Sequence, residues 1–139
     1  MSGTFQGFQT LQFTPDNKHA YAYSGVMNVA EVETTMVKFS TNSEYLKAKV
    51  LFAYPDNTGT DDFRYRIYFN NQVVQSIIQG RVDYDFKFEY AIPLIIPPLT
   101  EVKLTVQNVQ NTNSRDQCAS LTASVHGAIE QFDLRLNNE

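Results

Sequence analysis

The most regular feature of the chain is an alternation of apolar and polar residues. Between positions 101 and 107, Val102, Leu104 and Val106 alternate with charged or polar residues. A period of two places one set of side chains against a core and the other set in water, which is typical of a half-buried β-strand. The alternation recurs along the chain, and no segment of useful length shows the periodicity of an amphipathic helix. The sequence therefore predicts a protein built from strands.

The alternation predicts eight or nine strands joined by short turns. They cover residues 18–24, 26–29, 34–40, 45–52, 63–69, 73–78, 82–90, 101–109 and 118–129. Asn70 and Asn71 separate two of these strands and predict a tight two-residue hairpin turn, because Asn tolerates the positive φ angles that such a turn needs. Residues 111–117 are predicted to form a polar loop.

Residues 92–98 interrupt the alternation, because they are apolar throughout and include three prolines. Proline has no N–H to donate to a neighbouring strand, so it is poorly tolerated in the centre of a sheet. The segment is therefore predicted to form either an edge strand or a buried, extended crossover between two sheets.

The two ends of the chain are predicted to extend beyond a central domain at residues 18–130. Residues 1–17 carry spaced aromatic side chains and predict an extended arm with one short strand. That strand is expected either to pack on a neighbouring subunit or to form an ordinary edge strand within its own chain. Residues 131–139 predict a C-terminal tail.

A series of short antiparallel strands without helices predicts an all-β fold, an antiparallel β-sandwich. Eight strands in two sheets fit a jelly roll, in which the proline-rich segment is one of the connections between sheets. An immunoglobulin-type sandwich is the alternative. It is less favoured because the chain has no Trp and only one cysteine, Cys118.

Composition narrows the function classes. The net charge is −4 and the sequence pI is about 5.1; because the basic residues are scattered, a nucleic-acid partner is not expected. One cysteine excludes an internal disulfide and a cysteine-based zinc cluster. We expect no signal peptide and no membrane span, and therefore a soluble protein made in the cytosol.

The turn after residue 55 is the best candidate for a metal site. Asp56, Asn57, Asp61 and Asp62 offer hard oxygen ligands that suit calcium. Their spacing differs from that of an EF-hand loop, and Asp and Asn are also ordinary turn residues. Both interpretations stay open, and no other metal or cofactor is predicted.

No group of residues indicates catalysis. Asp83 and Asp85, with Glu89 further along, could form a carboxylate pair of the glycosidase type, but a solvated strand face opposite an aromatic one is the favoured explanation. His19 and His126 have no Ser, Cys or Asp placed as a triad in the sequence. Cys118 is expected to pack as a small apolar residue. The protein is therefore expected not to be an enzyme.

Eight tyrosines raise the possibility of carbohydrate binding, since their rings could stack on sugars. Tyrosine is also common in strands and at protein interfaces. The absence of Trp makes the second explanation the simpler one.

Four groups of segments carry recognisable motifs: Tyr23–Val29; Glu33–Thr41 with Glu44–Leu46; Asp62–Asn71 with Val74–Ser76; and Pro93–Asn108 with Ala119–Gly127. Together they resemble a family of small virion structural proteins from tailed, often marine, bacteriophages. The most specific motif is Ile-Ile-Pro-Pro-Leu-Thr-x-Val-Lys at residues 95–103. The resemblance covers about residues 21–127, and the N-terminal arm and the last dozen residues depart from it.

The resemblance implies a jelly roll in the virion, commonly a homotrimer, with no catalytic residue to transfer. We expect a capsid decoration (cement) protein that binds the major capsid protein and other virion proteins, without nucleic acid or membrane. A tail- or fibre-associated module that binds host surfaces or glycans is the alternative. The apolar residues of this chain that are expected to contact sister subunits or the shell are Phe5, Phe8, Leu11, Phe13, Leu94, Ile95, Ile96, Leu99, Phe132 and Leu134.

Overall fold

The computed structural model describes residues 9–55, 61–80 and 91–127, and these residues form ten β-strands. The strands are β1 (Gln12–Phe13), β2 (His19–Tyr23), β3 (Met27–Val29), β4 (Thr34–Ser40), β5 (Glu44–Ala53), β6 (Asp62–Phe69), β7 (Gln72–Gly80), β8 (Ala91–Ile96), β9 (Glu101–Asn108) and β10 (Arg115–Gly127). The predicted strand at 82–90, the beginning of the arm and the C-terminal tail lie outside the described residues.

The strands form two antiparallel sheets packed as a sandwich. The first sheet has the order β1-β2-β10-β5-β8, with β3 also paired to β10, and the second has the order β4-β9-β6-β7. Strand pairs are nested along the chain: β6 with β7, β5 with β8, β4 with β9, and β2 with β10. This is one long hairpin wrapped around the core, so the predicted jelly roll is confirmed. Eight strands make the roll, and β1 and β3 extend its first sheet.

The tip of this long hairpin is the turn between β6 and β7. Asn70 and Asn71 have φ angles of 50° and 65°, and Phe69 lies opposite Gln72. The predicted two-residue turn is therefore confirmed. Asn70 also ties the turn to β9, because its N–H donates to the Glu101 carbonyl at 2.8 Å and its side-chain oxygen accepts from the Glu101 N–H at 2.9 Å.

The core lies between the sheets and is built from inward-facing residues of β2, β4, β5, β6, β8, β9 and β10, whereas β7 adds only the partly buried Ile77. Val102, Leu104 and Val106 are fully buried, as their spacing predicts. Aromatic rings fill the centre, where Phe52 from the first sheet packs on Tyr65 from the second with ring centroids 4.9 Å apart. Apolar burial of this kind is the main stabilising contribution in such a domain.

Strand β8 decides between the two predictions for the proline-rich segment, an edge strand and a buried crossover. It pairs with β5 and with no other described strand, and Pro93 lies opposite Lys49. The edge-strand prediction is confirmed, and the buried-crossover alternative is wrong. The apolar run also hides an alternation, because Ile92 and Ile96 are buried whereas Pro93 and Ile95 are exposed.

Two other boundaries differ from the sequence expectation. Strand β10 begins at Arg115, so the last three residues of the predicted loop pair with Met27–Val29. In the arm, β1 pairs with β2 of the same chain, with Phe13 opposite Ala20. Of the two alternatives for the arm, its described part therefore forms the intrachain edge strand.

The turn geometry predicts a contrast between two substitutions at Asn71. Asn71→Ala should lower the free energy of unfolding by about 1 kcal/mol, because a Cβ-bearing residue without a polar side chain is disfavoured at positive φ. Asn71→Gly should leave stability unchanged or raise it, since Asn-Gly is the preferred pair for this turn. Urea unfolding of both variants checks the prediction. Equal stabilities would show that the turn does not adopt this geometry.

Candidate interaction surfaces

The predicted contact residues at the N-terminal side divide between core and surface. Leu11 is partly buried and packs against the main core. Phe13, on β1, is 44% exposed. Phe5 and Phe8 lie outside the described residues, as do Phe132 and Leu134 of the tail. Only Phe13 of this group therefore offers a substantial apolar surface in the described structure.

The predicted contacts around β8 are also divided. Ile96 is fully buried in the core, so its assignment to an interface is wrong, and Leu94 is partly buried against the same core. Ile95 points to the opposite side and is 63% exposed, while Leu99, in the turn after β8, is 79% exposed. Burial alternates along β8 although every residue of the strand is apolar. The sequence alone therefore did not show which of these residues are buried and which are exposed.

Leu99 has an unusual backbone conformation as well as an exposed side chain. Its φ angle is +54°, in the left-handed region where a bulky residue is rarely found. Its N–H donates to the carbonyl of Asn42 at 2.8 Å. Because a bulky residue costs of order 1–3 kcal/mol in this region, other contacts must hold the turn in place.

Those contacts come from Thr41, at the end of β4. Its hydroxyl donates to the Pro97 carbonyl at 2.7 Å and accepts from the Thr100 N–H at 2.9 Å. Its own N–H donates to the Thr100 carbonyl at 2.9 Å. Thr41 and Thr100 are both buried, so the turn between β8 and β9 is fixed on a rigid support with Leu99 projecting outward.

The candidate calcium ligands do not assemble into a described site. Asp62 is exposed at the start of β6, and Asp56 and Asn57 lie outside the described residues. Asp61 is buried and already paired: its carboxylate accepts from Arg115 Nε at 3.1 Å and from the side-chain amides of Asn108 and Asn111, each at 3.2 Å. Among the described residues no group of His, Cys, Asp or Glu could hold a metal ion.

Asp61 instead joins the loop before β6 to the segment between β9 and β10. Burial by itself would raise the pKa of Asp61, but hydrogen bonds from Asn111, Arg115 and Asn108 and the charge of Arg115 outweigh it and lower the pKa. The carboxylate is therefore held in its ionised form. The sequence showed an acidic turn, but the partners that define its role lie about 50 residues further along the chain.

A second polar cluster lies on the outer face of the second sheet. Glu33 accepts hydrogen bonds from Tyr68 and Thr105, and it forms an ion pair with Arg66 at 3.4 Å. Burial opposes ionisation of Glu33, but these partners outweigh it and lower its pKa. Lys103 lies 4.5 Å from the centre of the Tyr68 ring, so charges on this face are already matched by neighbours.

The two histidines lie on the outer face of the first sheet. His126 stacks on Tyr45 with ring centroids 5.1 Å apart, and its Nε2 lies 2.9 Å from the Ser124 hydroxyl. A nucleophilic triad also needs a carboxylate that orients the second ring nitrogen, and no described carboxylate is hydrogen-bonded to His126. His19 is exposed and lies opposite Ser124.

Cys118 begins the part of β10 that pairs with β5. Burial raises the pKa of its thiol, with a smaller opposing effect from a hydrogen bond with Tyr23. A thiol with a raised pKa is poorly ionised and is typical of a packed cysteine.

The acidic residues Asp83, Asp85 and Glu89, the candidate carboxylate pair and its neighbour, lie outside the described residues.

Comparison with known proteins gives similarity of strand arrangement only. No protein-family model matches the sequence, and no curated protein matches it significantly. A chain from the structure of infectious bursal disease virus Gx strain is similar with 13% identity and a TM-score of 0.49, covering 80% of this chain and 33% of that chain.

Two bacterial structures are similar at comparable levels. A chain described as Bacillus endospore appendages that form a family of disulfide-linked pili has 11% identity and a TM-score of 0.43, with 89% of this chain and 96% of that chain covered. Dimeric latent PorU from Porphyromonas gingivalis has 11% identity and a TM-score of 0.43, covering 91% and 13%. None of these similarities identifies what the chain does.

In the described part of the chain, no helix is long and apolar enough to cross a membrane.

The positions of Ile95 and Ile96 predict that the same substitution lowers stability strongly at one residue and hardly at all at the other. Ile96→Ala should lower the free energy of unfolding by about 2–4 kcal/mol, because it leaves a cavity in the core. Ile95→Ala, one residue earlier, should change it by less than about 0.5 kcal/mol. Chemical denaturation of the two variants measures the difference, and comparable losses would contradict the register of β8.

Asp61 predicts a pH-dependent contribution to stability. Asp61→Asn should cost about 2 kcal/mol near neutral pH, because one amide oxygen cannot accept from all three donors and Arg115 loses its counter-charge. Since the folded pKa is lowered, this contribution is present above the unfolded pKa, about 4, and is lost as the pH falls through the folded value. Urea unfolding at neutral and acidic pH should show the difference from wild type shrinking in acid.

Asp62→Asn is the matched control for this experiment. Asp62 is exposed, so its substitution should change stability by less than about 0.5 kcal/mol at neutral pH. An Asp61→Asn variant as stable as this control would show that the carboxylate does not join the two segments.

Proposed function

We propose that the protein is a non-enzymatic structural component of a bacteriophage virion, a decoration protein that forms homotrimers on the outer surface of the head. The resemblance of residues 21–127 to small phage virion proteins supports this function. The jelly roll is consistent with it, and the described residues contain no arrangement that favours catalysis.

Leu99 is the observation that carries the proposal. A turn whose only requirement was to join β8 to β9 would favour Gly at its positive-φ position. Here a large apolar side chain occupies that position and is 79% exposed. Strain combined with an exposed apolar group favours a role in contact with another protein.

Ile95, on the edge strand β8 of the first sheet, is a second exposed apolar side chain. Burying an Ile or Leu side chain contributes roughly 1.5–3 kcal/mol, whereas association costs at least about 4 kcal/mol in lost freedom of motion. Two such residues contribute roughly 3–6 kcal/mol, so the cost of association, about 4–15 kcal/mol, offsets most or all of their contribution. Repetition around a trimer, and then across many trimers on one shell, makes modest contacts sufficient.

The proposal predicts that assembly and stability can be separated. At protein concentrations low enough for wild type to be monomeric, the double variant Ile95→Ser with Leu99→Gly should unfold at the same denaturant concentration as wild type or higher, because Gly relieves the backbone at residue 99. The same variant should sediment as a monomer under conditions in which wild type is a trimer, and it should bind empty capsids less tightly. Analytical ultracentrifugation and co-sedimentation with capsids measure both properties.

The matched control replaces exposed apolar residues elsewhere. Val73→Ser with Val74→Ser removes two side chains of similar exposure from β7, in the second sheet, and should leave the trimer intact. If wild type forms a trimer that does not bind capsids but does bind host cells, a tail or fibre role would replace the decoration role. A wild-type monomer that binds neither would overturn the proposed function.

A further inference from the structure

The outer face of the first sheet differs in charge from the rest of the chain. Strand register places outward-facing side chains of four strands side by side on this surface, which we call the basic face: His19, Tyr21, Tyr45, Lys47, Lys49, Ser120, Thr122, Ser124 and His126, with Pro93 and Ile95 at its edge. None of these residues is acidic, although the chain as a whole has a net charge of −4. Among the described residues, the carboxylate on the same face is Asp116, which lies beyond Ser120 towards the start of β10.

The two lysines of the basic face lie next to each other and form no ion pair with the described residues. Lys47 lies opposite Ser124, Lys49 lies opposite Thr122, and both side chains are exposed. In the described part of the chain, no carboxylate forms an ion pair with either ammonium group. Asp116, near the far end of β10, bonds to Asn28 instead.

The opposite side of the sandwich provides the contrast. There Lys38 pairs with Glu101 at 3.9 Å, Arg66 pairs with Glu33, and Lys103 lies over Tyr68. On that side Arg64 also has a partner, the side-chain oxygen of Gln107. Each cation there therefore has a carboxylate, an amide oxygen or a ring beside it, whereas Lys47 and Lys49 have no such partner among the described residues. Unpaired charge on a rigid sheet is available to an opposite charge on another molecule.

The aromatic residues favour a protein as that molecule. The ring of Tyr45 is covered on one side by His126, which limits stacking on a sugar, whereas tyrosine edges and hydroxyls suit a flat protein interface. Strands about 4.8 Å apart, and the ten residues of β5 that pair with β10, give this sheet a face of roughly 20 by 30 Å. That is on the order of the 800 Å² per partner of a standard interface.

We propose that the basic face docks on an acidic protein surface, with Lys47 and Lys49 pairing with its carboxylates. The inference deepens the proposed function and rests on it for the identity of the partner, which would be the outer surface of the capsid. Ile95 and Leu99, at the edge of this face and just beyond it, remain the contacts between subunits.

The first test needs no capsid. The isotope-labelled full chain is titrated with a short oligoglutamate peptide at low salt and followed by NMR. Amide shifts should concentrate at Lys47, Lys49 and their neighbours on β10, and they should vanish at high salt because exposed ion pairs are screened. Shifts centred on Lys38 and Arg64, or no shifts, would overturn the proposal. So would binding of a sulfated polysaccharide to this face when the peptide does not bind.

The second test uses capsids and a charge-matched control. Lys47→Glu with Lys49→Glu should weaken capsid binding roughly tenfold or more, because two attractive pairs become repulsive. Lys38→Glu with Arg64→Glu changes the net charge equally on the other face and should have less than about a twofold effect. Circular dichroism and unfolding of each variant separate lost binding from lost folding.

The outcomes distinguish the two proposals. If wild type binds capsids and the two double variants bind equally, the basic face is not the docking surface and the decoration function stands. If wild type does not bind capsids, the decoration function fails, and the peptide titration alone decides whether this face recognises carboxylates.

Discussion

The pairing of β10 with three other strands is the constraint on which the rest of the fold depends. This strand of 13 residues pairs with β2 and β3 on one side and with β5 on the other. Its inward residues Ala119, Leu121 and Ala123 lie in the buried core. A slip of one residue would move all of them to the solvent side and bring Ser120 and Thr122 inward. The register of this strand therefore fixes the core and the outer face together.

Strand β10 also carries a polar side chain into the interior. Gln117 is fully buried near the start of β10, and its side-chain oxygen accepts from the Tyr65 hydroxyl at 2.8 Å. Burial raises the pKa of Tyr65, so the hydroxyl stays protonated and able to donate. Nearby, Asp61 and Arg115 close the end of the sandwich. A sandwich of this size is thus stabilised by a continuous apolar core and by a few polar links between segments distant in sequence.

Much of this fold could be predicted from the sequence, because period-two alternation identifies strands wherever one face is wet. It succeeded for β4, β5, β6 and β9, and the Asn70–Asn71 turn followed from the preference of Asn for positive φ. It gave no information on which face of β8 is buried, since Ile95 and Ile96 are equally apolar. The link from Asp61 to Arg115 was equally hidden, because nothing local to an acidic turn reveals a partner 54 residues away.

The surface features point to a separation between folding and assembly. Residues that stabilise the fold are buried or paired, as Ile96 and Asp61 are, whereas Leu99 imposes a backbone cost and is exposed. Lys47 and Lys49 add little to the stability of the isolated chain, since exposed lysines without ion-pair partners contribute little. A sequence that needed only to fold would gain by replacing Leu99 with Gly. Side chains that cost stability or add little to it, gathered along one sheet and its edge, are most simply explained by contacts made outside the chain.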